Sequence, residues 1–287
     1  MKTETQTSGN PGGKDRAELK TRGKTGAFLT LIGIFVLAFS HIPYVLNTAA
    51  AVLSVLGIRE LLSAAKANTR GRMLVLSLAA VLICFLKIPH YPLILSTLWV
   101  IAVLVFLLLM LRPGTARFSS FAATAPCALM LPLFFRSFAE IRQGSRGLFV
   151  LILVILGCML NDVAAYFVGK SIGKRKLAPA ISPGKTQEGG LGGLVISTLL
   201  SLLLAVLYAR LAKAELRFGW LLLYLILASL AGQFGDLSMS VIKRSAGIKD
   251  FGKILPGHGG ILDRFDSLLF TAPFALLYIS MTGGFFV

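Results

Sequence analysis

Three aspartates, five lysines or arginines and one of only three histidines fall between Lys243 and Ser267, in the stretch KRSAGIKDFGKILPGHGGILDRFDS. Asp263 and Asp266 are spaced i, i+3, which sets them on one face at the start of a helix. Two readings of that pair are open. A helix N-terminus favours carboxylates by its dipole alone. Alternatively, the pair is a site for a hard divalent cation such as Mg²⁺, which takes oxygen ligands and works with substrate phosphates. Just upstream, Pro256, Gly257, Gly259 and Gly260 exclude a helix and leave bare backbone around His258.

A second cluster is GQFGDLSMSVIKR. If this segment stays helical, Asp236, Ser240, Lys243 and Arg244 lie at i, i+4, i+7 and i+8 on one face. Lys243 and Arg244 by themselves would be boundary residues that snorkel. A carboxylate more than one turn inside that cationic end is harder to explain as surface. Asp236 can join Asp263 and Asp266 across the hairpin, giving three acids among several cations. That set suits metal-dependent phosphate transfer; a solvated loop is the competing reading.

The third cluster is NDVAAYFVGKSIGKRKLAPAISPGKTQEGGLGG, beginning at Asn161 and Asp162. Its GKT is not a phosphate loop, since the form G-x-x-x-x-G-K-[ST] requires Gly at position 179, which is Pro. Lys185 and Thr186 follow a Ser-Pro-Gly turn and offer a cation, a hydroxyl and backbone donors. Phosphate binding and a plain polar turn both fit them. GGLGG opens the next helix, where small residues allow close helix packing. With Glu188 and Asp250, the acids Asp162, Asp236, Asp263 and Asp266 make up half of the twelve in the chain.

These residues sit in a chain that is 56% hydrophobic and 14% charged, with mean hydropathy +0.81. Soluble domains carry about 25% charged residues. Apolar runs of about 20 residues recur and lack the alternation of barrel strands. The fold class is therefore all-α, a polytopic integral membrane helical bundle. The runs predict about nine transmembrane helices, near 26–40, 44–62, 73–88, 92–111, 119–138, 147–168, 193–212, 218–238 and 266–286. HIPY breaks the first pair, and Pro126 and Pro132 interrupt the fifth. Residues 1–25 are polar, lack the apolar core of a signal peptide, and are expected to be a disordered basic tail; residues 26–287 form one membrane domain.

The net charge is +17. In a soluble protein this would suggest nucleic acid; here the basic residues lie between spans, where they fix orientation and meet anionic head groups. The tail, KANTRGR, RPGTAR, the Lys170–Lys185 region and the Lys243–Arg264 region fall on one side, which should be cytoplasmic. HIPY, Lys87, RSFAEIRQGSR and KAELR fall on the other. Cys84, Cys127 and Cys158 are far apart within apolar segments and offer neither a disulfide framework nor a zinc spacing, so they are packing residues. No inverted repeat of broken segments supports a transporter.

The run SVIKRSAGIKDFGKILPGHGGILDRFD, with Gly235-Asp236 before it, resembles the signature of the phosphatidate cytidylyltransferases, or CDP-diacylglycerol synthases: S-x-x-K-R, K-D, H-G-G and D-R-x-D in order. The stretch from Ala165 to Gly193 resembles that family's other motif region, with Gln187 and Lys170 departing from its commonest residues. The resemblance is strong over about residues 160–270. It implies that CTP and phosphatidate give CDP-diacylglycerol and pyrophosphate, with membrane lipids as the surroundings and no nucleic acid partner. It implies Mg²⁺, as one ion or with a second, held by Asp236, Asp263 and Asp266. Catalysis would rest on Asp236, Lys243, Asp263, Asp266, Lys249 and Asp250. Ser182, Lys185, Thr186, Glu188, Arg244, His258 and Arg264 would bind substrate. It further implies a homodimer in a prokaryotic inner membrane, with the site facing the cytoplasm.

Overall fold

The computed structural model describes residues 11–111 and 121–286. The RPGTAR loop at 112–117 and the first ten residues lie outside the described residues. In chain order the elements are α1 (Pro11–Ala38), α2 (Val45–Ala64), α3 (Arg70–Phe85), α4 (Tyr91–Leu111), α5 (Phe121–Gln143) and α6 (Gly147–Ile172). A two-stranded antiparallel hairpin follows, β1 (Lys176–Ala178) and β2 (Ser182–Thr186). Then come α7 (Gln187–Leu211), α8 (Phe218–Ser245), the short α9 (Leu262–Phe265) and α10 (Leu268–Thr282).

The chain is thus nearly all-α, and each apolar run expected from the sequence falls on a helix. The hairpin is the departure from an all-α fold. It escaped the sequence because its strands are three and five residues long and the second reads Ser-Pro-Gly-Lys-Thr, with two residues depleted in strands. Five helices, α2, α4, α6, α7 and α8, are long and apolar enough to cross a membrane, which marks an integral membrane protein. The segments Gly23–Ala38 and Leu268–Thr282 are apolar but shorter, so nine crossings are not confirmed. α5 runs through Pro126 and Pro132 without ending, and α1 starts at Pro11, inside the stretch expected to be disordered. Proline suits a first helical position, and the Ala, Glu, Leu, Lys and Arg that follow favour helix.

The outer surface is apolar, as lipid contact requires: Leu93, Leu104 and Leu108 on α4 and Leu199, Leu203 and Leu207 on α7 are all exposed. Inside, Phe270 of α10 meets Phe106, Phe134 and Phe234 edge-on at centroid distances of 5.9, 5.8 and 5.6 Å. α6 and α7 press together along the glycines of GGLGG. A Cβ on Gly192 would lie 2.6 Å from Val168, and one on Gly193 2.9 Å from the Asn161 carbonyl. The small-residue stripe therefore serves helix packing, as its composition suggested.

At the end poor in basic residues, Arg142 donates to Ser40 Oγ at 2.9 Å, and the Arg217 amide donates to Phe285 O at 3.0 Å. At the other end the hairpin, the end of α8, α9 and the loop between them come together.

Candidate active site

The polar end is assembled from α2, α6, the hairpin, α8 and α9. α8 stays helical to Ser245, seven residues past the expected end of its span, so Asp236, Ser240, Lys243 and Arg244 do share a face. Gly247, at φ 72°, then turns the chain out of the helix.

Two lysine–aspartate pairs organise the site. Lys243 Nζ lies 2.9 Å from Asp263 Oδ1, and both side chains are nearly buried, at 11% and 3% exposure. Lys185 of β2 pairs with Asp236 of α8, both side chains about a quarter exposed, at 27% and 26%. Arg244 ties the same two elements: its Nε donates to Ile181 O at 3.1 Å, and its guanidinium also reaches Ile248 O. The hairpin is thereby held against the end of α8 by one cation from each side.

Asp263 is further committed. Its Oδ2 accepts from the amides of Phe251 and Gly260, each at 2.9 Å. Charge-assisted bonds to backbone N–H are strong, so this carboxylate closes the 251–260 loop onto α9. Gly259, at φ 84°, turns the loop where a Cβ would sit 2.9 Å from Asp263 Oδ2. Asp266, just past α9, accepts from the Ser267 amide at 2.9 Å. Its carboxylate is within electrostatic reach of Asp236, Lys243 and Asp162. Asp162, on α6, is in turn within reach of Asp236 and Lys185 and accepts from Ser267 Oγ at 3.4 Å.

Among the described residues, no three of His, Cys, Asp and Glu converge closely enough to hold a metal ion. The expected triad of Asp236, Asp263 and Asp266 is therefore spread out, with Asp236 and Asp263 each turned to its own lysine. Asp162, Asp236 and Asp266 lie within electrostatic reach of one another. Asp162 falls within a span expected from the sequence, and the sequence alone does not assign it to the site.

The other expected residues divide by use. Thr186 caps α7, its hydroxyl accepting from Gly189 N at 3.1 Å. Glu188 accepts from the amides of Lys174 and Arg175 at 3.0 and 3.2 Å and so fastens the turn between α6 and β1. Both positions shape the hairpin's base. Ser182 begins β2 opposite Ala178. Lys249, Asp250 and Arg264 are exposed at the rim. His258 has a buried Nδ1 that lacks a hydrogen-bond partner among the described residues, and its Nε2 side faces Gly26 of α1.

Two features were missed from sequence. Glu60 of α2, 3% exposed, accepts from the amides of Ile261 and Leu262 at 2.8 and 2.9 Å. Beneath the acids, Asn161 Oδ1 accepts from Ser229 Oγ at 2.8 Å and from Gln233 Nε2 at 3.0 Å, while Gln233 also donates to Gly190 O. That network joins α6, α7 and α8 directly under Asp162 and Asp236.

Residues 20–282 match the Cytidylyltransferase family. A phosphatidate cytidylyltransferase of Bacillus subtilis is 43% identical over 169 residues, covering 58% of this chain and 61% of that protein. One of Staphylococcus saprophyticus is 45% identical over 129 residues, covering 45% and 48%. The uncharacterized protein YnbB of Escherichia coli is 47% identical over 119 residues, covering 42% and 38%. The aligned part thus spans about half the length of these relatives. With most of its length matched to the family pattern, the chain belongs to the cytidylyltransferase family.

Proposed function

We propose that this protein is a CTP:phosphatidate cytidylyltransferase that forms CDP-diacylglycerol and pyrophosphate for phospholipid synthesis. The observation that carries the reading is the pairing of Lys185 with Asp236 and of Lys243 with Asp263 at one end of a membrane bundle, in a chain of this family. Relatives that align with 58% and 45% of the chain are named phosphatidate cytidylyltransferases.

The chemistry joins two anions. An oxygen of the lipid phosphate attacks the α-phosphorus of CTP, and the bond from that phosphorus to the β-phosphate bridging oxygen breaks, releasing pyrophosphate. The attacking oxygen is already deprotonated at neutral pH, so no general base is needed. The main barrier is repulsion between phosphates, and fixed positive charge lowers it. Lys185, Lys243 and Arg244 stand where they can neutralise phosphate oxygens, with Lys249 and Arg264 at the rim. Each lysine of a pair is oriented by its aspartate, so binding of phosphate exchanges one anionic partner for another.

The donor set also fits a hard divalent cation. Asp236 and Asp266 sense each other's charge, and two carboxylates can share a hard cation that completes its shell with substrate phosphate and water oxygens. Asp236 and Asp266 would hold Mg²⁺, while Asp263 would stay with Lys243 and the loop amides. Such an ion supplies charge stabilisation for both the attacking and the leaving oxygen. The basic loops at this end support a cytoplasmic orientation of the site, where CTP would be available.

The test is direct. Purified protein with Mg²⁺, CTP and phosphatidate should yield CDP-diacylglycerol, and a panel of other lipid phosphates and polyprenol-type alcohols should not replace phosphatidate. No product above a no-enzyme control, in an assay where a known cytidylyltransferase works, would overturn the reading.

A further inference from the structure

Glu60 stands more than 200 residues from the motifs it touches. It lies one turn before the end of α2, in VLGIRELLSA, and is 3% exposed. A carboxylate placed this deep in a membrane protein is costly unless strong donors meet it. Both of its oxygens are met by backbone: Oε1 by the Ile261 amide at 2.8 Å and Oε2 by the Leu262 amide at 2.9 Å. The preceding amide, of Gly260, goes instead to Asp263 Oδ2. Three consecutive N–H groups are thus divided between two carboxylates, one on α2 and one on α9.

The glycines of the loop are fitted to the same carboxylate. A Cβ on Gly260 would lie 2.6 Å from both Glu60 oxygens, and one on Gly252 would lie 2.7 Å from Oε1. Two separate backbone stretches, at 252 and 260–262, therefore close around Glu60, while Phe251 and Gly260 close around Asp263. The motif that ends in Asp263 and Asp266 takes its position from a residue in the half of the chain that otherwise builds only the bundle.

We infer that Glu60 is a positioning residue: it clamps the 251–262 loop and the start of α9, and so sets the place of Asp263, Lys243 and Asp266 for nucleotidyl transfer. It touches no substrate. The inference rests on the proposed cytidylyl transfer for its kinetic readout, but the clamp itself can be seen without activity.

The experiment compares wild type, Glu60→Gln, Glu60→Ala, Gly260→Ala and the double variant Glu60→Ala/Gly260→Ala, each purified in detergent. Backbone hydrogen exchange over residues 250–266 should quicken about tenfold in Glu60→Ala, with peptides from α6 and α7 unchanged. kcat should fall about a hundredfold in Glu60→Ala, as for a small displacement of reacting groups, with KM for CTP little altered. Glu60→Gln keeps one acceptor and should fall between Glu60→Ala and wild type. Gly260→Ala should match Glu60→Ala, because its methyl displaces the carboxylate, and the double variant should be no worse than either. Unchanged exchange in Glu60→Ala overturns the clamp, and so do additive losses in the double variant. If Glu60→Ala lowered only the yield of folded protein and left kcat intact, the positioning role would also fall. If wild type made no CDP-diacylglycerol, the proposed function would fail, and the exchange data alone would then decide the clamp.

Discussion

Lys243 Nζ lies 2.9 Å from Asp263 Oδ1, and that bond joins the last turn of α8 to the first turn of α9 across a loop of sixteen residues. Because both groups are nearly buried, removing one leaves an uncompensated charge. Lys243→Met should therefore cost about 3–5 kcal/mol of stability, read as a lowered midpoint in denaturant titration of the micelle-bound protein. Lys243→Met combined with Asp263→Asn should recover part of that loss, since neither charge is then stranded, yet remain without turnover. Recovery of activity along with stability would show that the pair is only a structural tie.

The other pair should behave differently. Lys185 and Asp236 are both partly open to solvent, and exposed pairs are worth about 0–1 kcal/mol. Asp236→Asn and Lys185→Met are thus expected to leave the unfolding midpoint nearly unchanged. Turnover should fall by about a hundredfold or more in each, as for loss of one group that stabilises developing charge. Near wild-type rates for Asp236→Asn would remove this carboxylate from the reaction centre.

These contrasts mark what the sequence could and could not disclose. The helices were legible because lipid demands long apolar runs, and the shared face of Asp236, Ser240, Lys243 and Arg244 followed from helical spacing. The partners of Asp263 were not legible: its bonds to Phe251 N and Gly260 N depend on how a loop with two left-handed glycines folds back. Glu60 carried no local signal, because its partners are 201 and 202 residues away. Thr186 did carry one, since a threonine immediately before a helix with Glu188 in the first turn is a capping pattern. Its place after a Ser-Pro-Gly turn and beside Lys185, which fits phosphate binding or a plain polar turn, hid it.

If Asp236 and Asp266 hold a divalent cation, removing it should stop the reaction without unfolding the bundle. Treatment with EDTA is expected to abolish product formation, and Mg²⁺ in excess should restore it fully. In Asp266→Asn the Mg²⁺ concentration for half-maximal rate should rise about 10–100-fold, the usual cost of a weakened metal site. A metal requirement left unmoved by that substitution would assign the ion to other ligands.

Gly235 offers a test of packing next to the site. A Cβ there would lie 2.8 Å from the Asp266 carbonyl and 3.0 Å from Phe270 Cβ, so α8 and α10 can touch only because the residue is glycine. Gly235→Ala must push α10 and the end of α9 outward, an overpacking that costs about 1–3 kcal/mol. Since the displaced backbone carries Asp266, kcat should fall together with stability. Gly219→Ala is the control: it lies near the start of the same helix with nothing within 4 Å of its new methyl. Better helix propensity should make it neutral or more stable by about 0.5–1 kcal/mol, with wild-type turnover. Equal effects at the two positions would mean that the contact at Gly235 does not set the place of Asp266.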